Sequence, residues 1–231
     1  MAIGTETIDF LRDLEANNST AWLNANRDRY EREWLAPAQQ FVHYWKPFLE
    51  HIEPPLVADA KINKSIRRIN RDLRFSKDKR PYDPKLHMVF WHGAHPTKSQ
   101  AIHFVVKPTG VALGVGQWSM TPKEIHAYRQ ALCSEQKFAQ LKSILSDLET
   151  AGYQAIGPSL KTVPKCYFAS QANQELLRRK NLVLTTGQAP KSHRFLEDEW
   201  AVMNEFTRLA KLVAWLTDVH SCKSTSSREA G

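Results

Sequence analysis

Residues 61–85, KINKSIRRINRDLRFSKDKRPYDPK, gather the side chains best suited to handling an anion. The cations are Lys61, Lys64, Arg67, Arg68, Arg71, Arg74, Lys77, Lys79, Arg80 and Lys85; the acids are Asp72, Asp78 and Asp83. Ten cations against three acids leave +7 of the chain's +8. Charge confined to one segment marks a local anion site or a local ion-pair network, not a uniformly basic protein. Guanidinium groups offer planar forks of donors that match phosphate and carboxylate oxygens, and an ammonium adds a compact charge. Arg68, Arg71, Arg74 and Lys79 are the candidate cations, with Ser76 and Tyr82 as hydroxyl donors. Asp72 and Asp78 would orient the arginines or act as a base. Carboxylates amid so many cations have lowered pKa values and make weak bases, so no reaction is assigned. The bland alternatives are an Arg–Asp network that fixes an irregular loop, and an ordinary solvated basic face.

Other candidates lie further along. Lys165, between Pro164 and Cys166, belongs to a loop, where a charge reaches a ligand without a burial cost. Arg178 and Lys180 follow it. Arg71, Arg74, Ser76, Lys79 and Tyr82 are expected to converge with Lys165, Arg178 and Lys180, and Trp118 either packs in the core or gives the site a flat wall. Neither GxxxxGK[ST] nor GxGxxG occurs, so no phosphate loop is indicated, and the cofactor is left unknown. His92-Gly-Ala-His95 lacks accompanying carboxylates, and His87 and His103 stand apart from it. These histidines read as satisfied or exposed loop residues, not as a metal site. Cys166 beside Lys165 has thiolate-favouring surroundings but no evident histidine partner.

The elements that must position these residues can be read from periodicity and punctuation. Thr5 is a candidate N-cap for a helix with Ile8, Leu11 and Leu14 on one face. Ser19 restarts a helix to Glu33, and Pro37 opens another from about Leu35 to Glu50. The basic segment is ambiguous between helix and strand, and Pro81 and Pro84 make 76–86 irregular. AIHFVVK, Pro108-Thr109-Gly110 and Val111–Val115 read as an antiparallel hairpin, with Gly114 and Gly116 marking a bulge or a close backbone approach. Thr121-Pro122-Lys-Glu124 starts a helix to about Cys133, and Glu135–Ala151 is a second. Residues 161–169 are expected to be irregular, with Asn173 capping a helix to Lys180, a strand over Asn181–Thr186 and a long amphipathic helix over Leu196–Val219. The fold class is α+β: one domain over residues 8–219, an antiparallel sheet with N-terminal and C-terminal helices, and a disordered tail at 220–231.

Seven tryptophans spread along 231 residues suit core packing. Cys133, Cys166 and Cys222 are odd in number and form no CxxC pair, which suits a reducing compartment. MAIGTETIDF lacks a charged region followed by an apolar run, and no stretch of about 18 apolar residues occurs. The expectation is a cytoplasmic protein without a membrane contact.

The run RDLRFSKDKRPY resembles the RDxRFSxDKxPY-type signature of the family known as domain of unknown function 2461. FLRDLEANNSTAWLNANRDRYE, GVALGVGQW and LKTVPKCYFASQANQELLRRKNLVL are similar, in order, to the family's opening, its glycine-rich strand and its later lysine-proline segment. The likeness covers roughly residues 8–215. Cys166 stands where the family usually has glycine, and Leu23 where it often has phenylalanine. The resemblance implies a soluble α+β domain and supplies no activity. The expected partner is a small anionic metabolite or nucleotide bearing phosphate or carboxylate, bound at this site with turnover left open. The alternative is a nucleic-acid-binding module that uses 61–85 on backbone phosphates, with oligomeric state open.

Overall fold

A computed structural model describes residues 3–74, 76–167 and 170–221. The helical N-terminal part comprises α1 (Thr5–Ala16), α2 (Thr20–Ala25), α3 (Arg27–Arg29), a π-helical turn (Tyr30–Leu35) and α4 (Ala36–His51). Next come β1 (Leu86–Trp91), β2 (Ala101–Lys107), β3 (Gly110–Gln117), α5 (Pro122–Cys133) and α6 (Glu135–Thr150). The chain continues through β4 (Gln154–Ile156), α7 (Gln174–Arg178), β5 (Leu182–Thr185) and a 3-10 turn (His193–Glu197) to α8 (Glu199–Ser221). The strands form one sheet in the order β1-β2-β3-β5-β4, with every neighbouring pair antiparallel. The architecture is α+β.

Alternate residues of a strand face opposite sides, so one face of this sheet carries Leu86, Met88 and Phe90, then Ile102, Phe104 and Val106. Val111, Leu113 and Val115, then Leu182 and Leu184, extend the same apolar face. α8 covers it with a buried stripe that includes Val202, Phe206, Leu209 and Val213. The Phe206 ring lies 5.3 Å from Trp45, 5.5 Å from Phe90 and 6.0 Å from Phe104, which joins α4, α8 and two strands in one aromatic cluster. Ridge-forming residues Phe10, Leu11 and Leu14 of α1 complete this core.

The hairpin of β2 and β3 turns at Pro108-Thr109, with Lys107 paired to Gly110. Gly116, at φ +134°, is a close backbone approach: a Cβ there would strike the Leu182 carbonyl on β5. Thr121 caps α5, its hydroxyl accepting from Glu124 N while the Glu124 carboxylate accepts from Thr121 N.

Several boundaries differ from the sequence reading. Gly4, not Thr5, occupies the first cap. Ser19 does cap α2, but that helix stops at Ala25 because Asn26 turns out of helical geometry and its side chain bonds back to the Trp22 carbonyl. Asn173 caps nothing with its side chain; it donates to Leu132 O and accepts from Ser170 N, tying the 170–173 turn to the end of α5. The final helix begins at Glu199 and runs through Ser221, so residues 220–221 are helical, while the remainder of the expected tail, 222–231, lies outside the described residues. No helix among the described residues is long and apolar enough to cross a membrane.

Gly116→Ala combines a disfavoured positive φ with a backbone clash. It is expected to cost more than about 2 kcal/mol, read as a lower urea midpoint at unchanged slope.

Candidate functional site

The basic segment is bound to the sheet edge before it forms a site. Val57 pairs with Trp91 and Ile66 with Met88, while Arg67 N donates to His87 O at 2.9 Å and Val89 N to Ser65 O at 2.8 Å. These bonds cover the otherwise open edge of β1. Between the two pairings the chain reverses through a tight turn with Asn63 at φ +67°, and the Ser65 hydroxyl accepts from Asp59 N. Beyond Arg67 a second hairpin forms: Arg71 N donates to Pro81 O and Asp83 N to Ile69 O, each at 2.9 Å. Asn18, from the start of the α2 cap, clamps it at Tyr82 by donating to the carbonyl and accepting from the N–H, both at 3.0 Å.

Within that hairpin the acids select their partners. The Arg71 guanidinium reaches Asp78 at 2.7 Å and donates to Ser76 Oγ and Arg80 O, each at 3.2 Å. Ser76 Oγ in turn donates to Asp78 O at 2.9 Å. Asp78 also takes two side-chain donors and the backbone N–H of Arg80. Arg74 holds Asp72 through two guanidinium nitrogens, at 3.0 and 2.6 Å, and Lys85 meets Asp83 at 2.6 Å. Lys79 Nζ donates to Leu73 O at 3.3 Å. Hydrogen bonding from Arg74 lowers the Asp72 carboxyl to about 2, and Arg80 chiefly, with Arg71, holds Asp78 well below the usual carboxylate range. Both are firmly ionised near neutral pH, which suits structural counter-ions and not general bases.

This pairing sorts the cations. Arg71, Arg74, Arg80 and Lys85 are engaged with acids of their own segment. Lys61, Lys64, Arg68 and Lys77 are exposed, Arg67 is half-buried, and none of these five side chains has a hydrogen-bond or ion-pair partner among the described residues. Of the expected ligand-binding residues, Arg68 therefore faces solvent unencumbered. Tyr82 is a correction: at 6% exposure it belongs to the core and offers little surface to a ligand. Phe75, inside the signature run, lies outside the described residues.

The expected convergence with the later motif is not formed at the sheet. The hairpin joins β1 at Leu86, whereas Arg178 and Lys180 lead into β5 at Leu182, which pairs with Gln117. Leu86 and Leu182 are three strands apart and at opposite strand ends, a separation of roughly 25 Å from the usual rise and spacing. Lys180 N donates to Pro158 O and Leu160 N to Arg178 O, which fastens this motif to its own preceding loop. Lys165 is exposed on that loop. Trp118, 58% exposed, is not a core residue; it follows β3 at the Leu182 end, so any flat wall it offers stands there and not beside Arg71.

Two features escaped the sequence reading. His87 Nε2 and His103 Nδ1 share a hydrogen bond of 2.9 Å on the sheet face opposite α8. Burial holds both rings below their ordinary value, His103 at about 4, and the Arg67 charge pushes both the same way. For His103 the signal was present, since it falls on the second face of a strand whose alternate residues fill the core. His126 Nδ1 is 2.7 Å from Tyr167 OH, giving the loop beside Cys166 a histidine, though through the tyrosine. Cys133 and Cys166 are exposed.

The family described as conserved hypothetical protein (DUF2461) matches residues 6–215, so the chain belongs to that family. No curated protein and no solved structure matches the chain.

The histidine pair sets an acid limit. Each imidazole has a lowered folded-state pKa, so its contribution to stability is complete above about 6.5, the unfolded value, and declines as pH falls below it, for His103 toward about 4. In urea titrations the His87→Phe/His103→Phe variant is expected to lose much of that decline between pH 6.5 and 4. Arg71→Ala removes the hairpin's internal hub, and trypsin is expected to cut within residues 71–80 faster than in the parent protein, as followed by mass spectrometry.

Proposed function

We propose that the protein binds phosphate-bearing anions through the outer surface of the 61–85 segment, and that a nucleic-acid backbone is the ligand this surface suits best. One observation carries the reading: among the described residues the side chains of Lys61, Lys64, Arg67, Arg68 and Lys77 have no hydrogen-bond or ion-pair partner, and four of them are exposed. They are distributed over a turn, the covered sheet edge and a hairpin instead of closing on one point. Several separated charges on a fixed backbone match a ligand with several separated phosphates. The firmly ionised Asp72 and Asp78 favour binding over acid–base catalysis at this site.

A small phosphate- or carboxylate-bearing metabolite is the second reading, and Arg67 favours it. Its guanidinium is half-buried beside two neutral imidazoles and lacks a carboxylate partner among the described residues. A bound anion would supply the missing counter-charge there.

Fluorescence anisotropy with a labelled duplex and a labelled single strand tests the first reading. Five phosphate contacts predict a log–log salt slope of about −4.5 on duplex DNA, and Arg67→Ala/Arg68→Ala is expected to reduce its magnitude by about 2. Absence of binding at low salt, or an unchanged slope in the variant, would reject it. Inorganic phosphate or a mononucleotide raising the melting temperature, in place of any oligonucleotide response, would support the second reading.

A further inference from the structure

At the sheet edge remote from β1, a cleft of about 320 Å³ lies between α6, the β4–β5 edge and α7. That volume is at the lower end of the roughly 300–1,000 Å³ of small-molecule sites. Its floor is apolar, formed by Leu145, Leu176, Leu182 and Leu184. Its rim is charged. Lys142 and Glu149 are seven residues apart on α6, and so share a helix face, while Glu175 and Arg179 come from α7 and the residue that caps it.

Arg179 is the built element of this cleft. It is only 7% exposed, and its Nη1 donates to Ile156 O at 3.3 Å while Nη2 meets Glu175 at 3.0 Å. Arg129 fixes its backbone by donating to Arg179 O at 3.3 Å. The buried Nε–H has no partner among the described residues, and of five guanidinium N–H donors two are committed there. A buried cation with spare donors beside a leucine floor favours an oxygen acceptor carried by a partly apolar molecule. The rim as a whole holds two cations and two carboxylates. Arg179 and Glu175 already pair with each other, so the rim charges left to a ligand are Lys142 and Glu149, one of each sign, which a molecule carrying both charges would satisfy together.

We propose that this cleft binds a small zwitterion with an apolar side chain, the chemistry of a free hydrophobic α-amino acid. The leucine floor receives the side chain, Arg179 and Lys142 hold the carboxylate, and Glu149 and Glu175 hold the ammonium. The site is independent of the basic segment, which borders the opposite edge of the sheet.

The test is calorimetry and thermal shift on the full chain with L-leucine and L-phenylalanine, against 3-phenylpropionate, which lacks the ammonium, and phenethylamine, which lacks the carboxylate. Saturable binding of the amino acids is expected, with each single-charge analogue at least about tenfold weaker. Lys142→Ala and Glu149→Gln replace exposed rim residues that hold no other contact, and each is expected to raise Kd about tenfold while circular dichroism stays unchanged. Ala155→Trp, on exposed β4, is expected to occlude the cleft and abolish binding. No saturable binding of either amino acid, equal binding of 3-phenylpropionate, or parental affinity in both rim variants would overturn the proposal.

Discussion

Arg71 lies at the centre of the basic segment because one guanidinium, 23% exposed, reaches Asp78, Ser76 and the Arg80 carbonyl together. A sequence of ten cations and three acids would otherwise repel itself and stay extended. Asp78 is shared between Arg71 and Arg80, so one carboxylate offsets repulsion on both sides of the loop. The Arg74–Asp72 pair is local and exposed and the Lys85–Asp83 pair local and half-buried, and on their own they would contribute little to stability. In the proposed reading they remove particular cations from competition for an external anion.

The surplus charge also has a structural consequence. β1 is an edge strand, and the segment that covers it places Lys61, Lys64, Arg67 and Arg68 along or beside its outer boundary. Charged residues at a sheet edge oppose pairing with another chain. In the proposed reading the same cations protect the edge and attract phosphates. Beneath them the His87–His103 pair remains neutral near pH 7 because burial and Arg67 both oppose a further positive charge.

Much of the fold was legible locally. Alternation in AIHFVVK, the turn at Pro108-Thr109 and the Thr121-to-Glu124 capping box each specify their geometry within a few residues. β1 was missed because LHMVFW is buried on both faces at nearly every position and shows no alternation of apolar and polar residues. β4, three residues long, carries too little pattern to identify. The site was legible as a location but not as a sorting of roles. Arg67 and Arg71 differ through non-local pairing with His87 and through a clamp from Asn18, 64 residues before Tyr82. The expected union with Lys165, Arg178 and Lys180 failed because strand order, which local sequence does not encode, inserts β2 and β3 between the two motifs.

The claim on which this account rests is that internal acids divide the basic segment into structural and ligand-facing cations. Arginine Nε–H resonances report that division one residue at a time during titration with a short oligonucleotide. The account predicts progressive shifts at Arg67 and Arg68 with the Arg71 signal held at its starting position. Shifts concentrated at Arg71, with Arg67 and Arg68 unmoved, would contradict it.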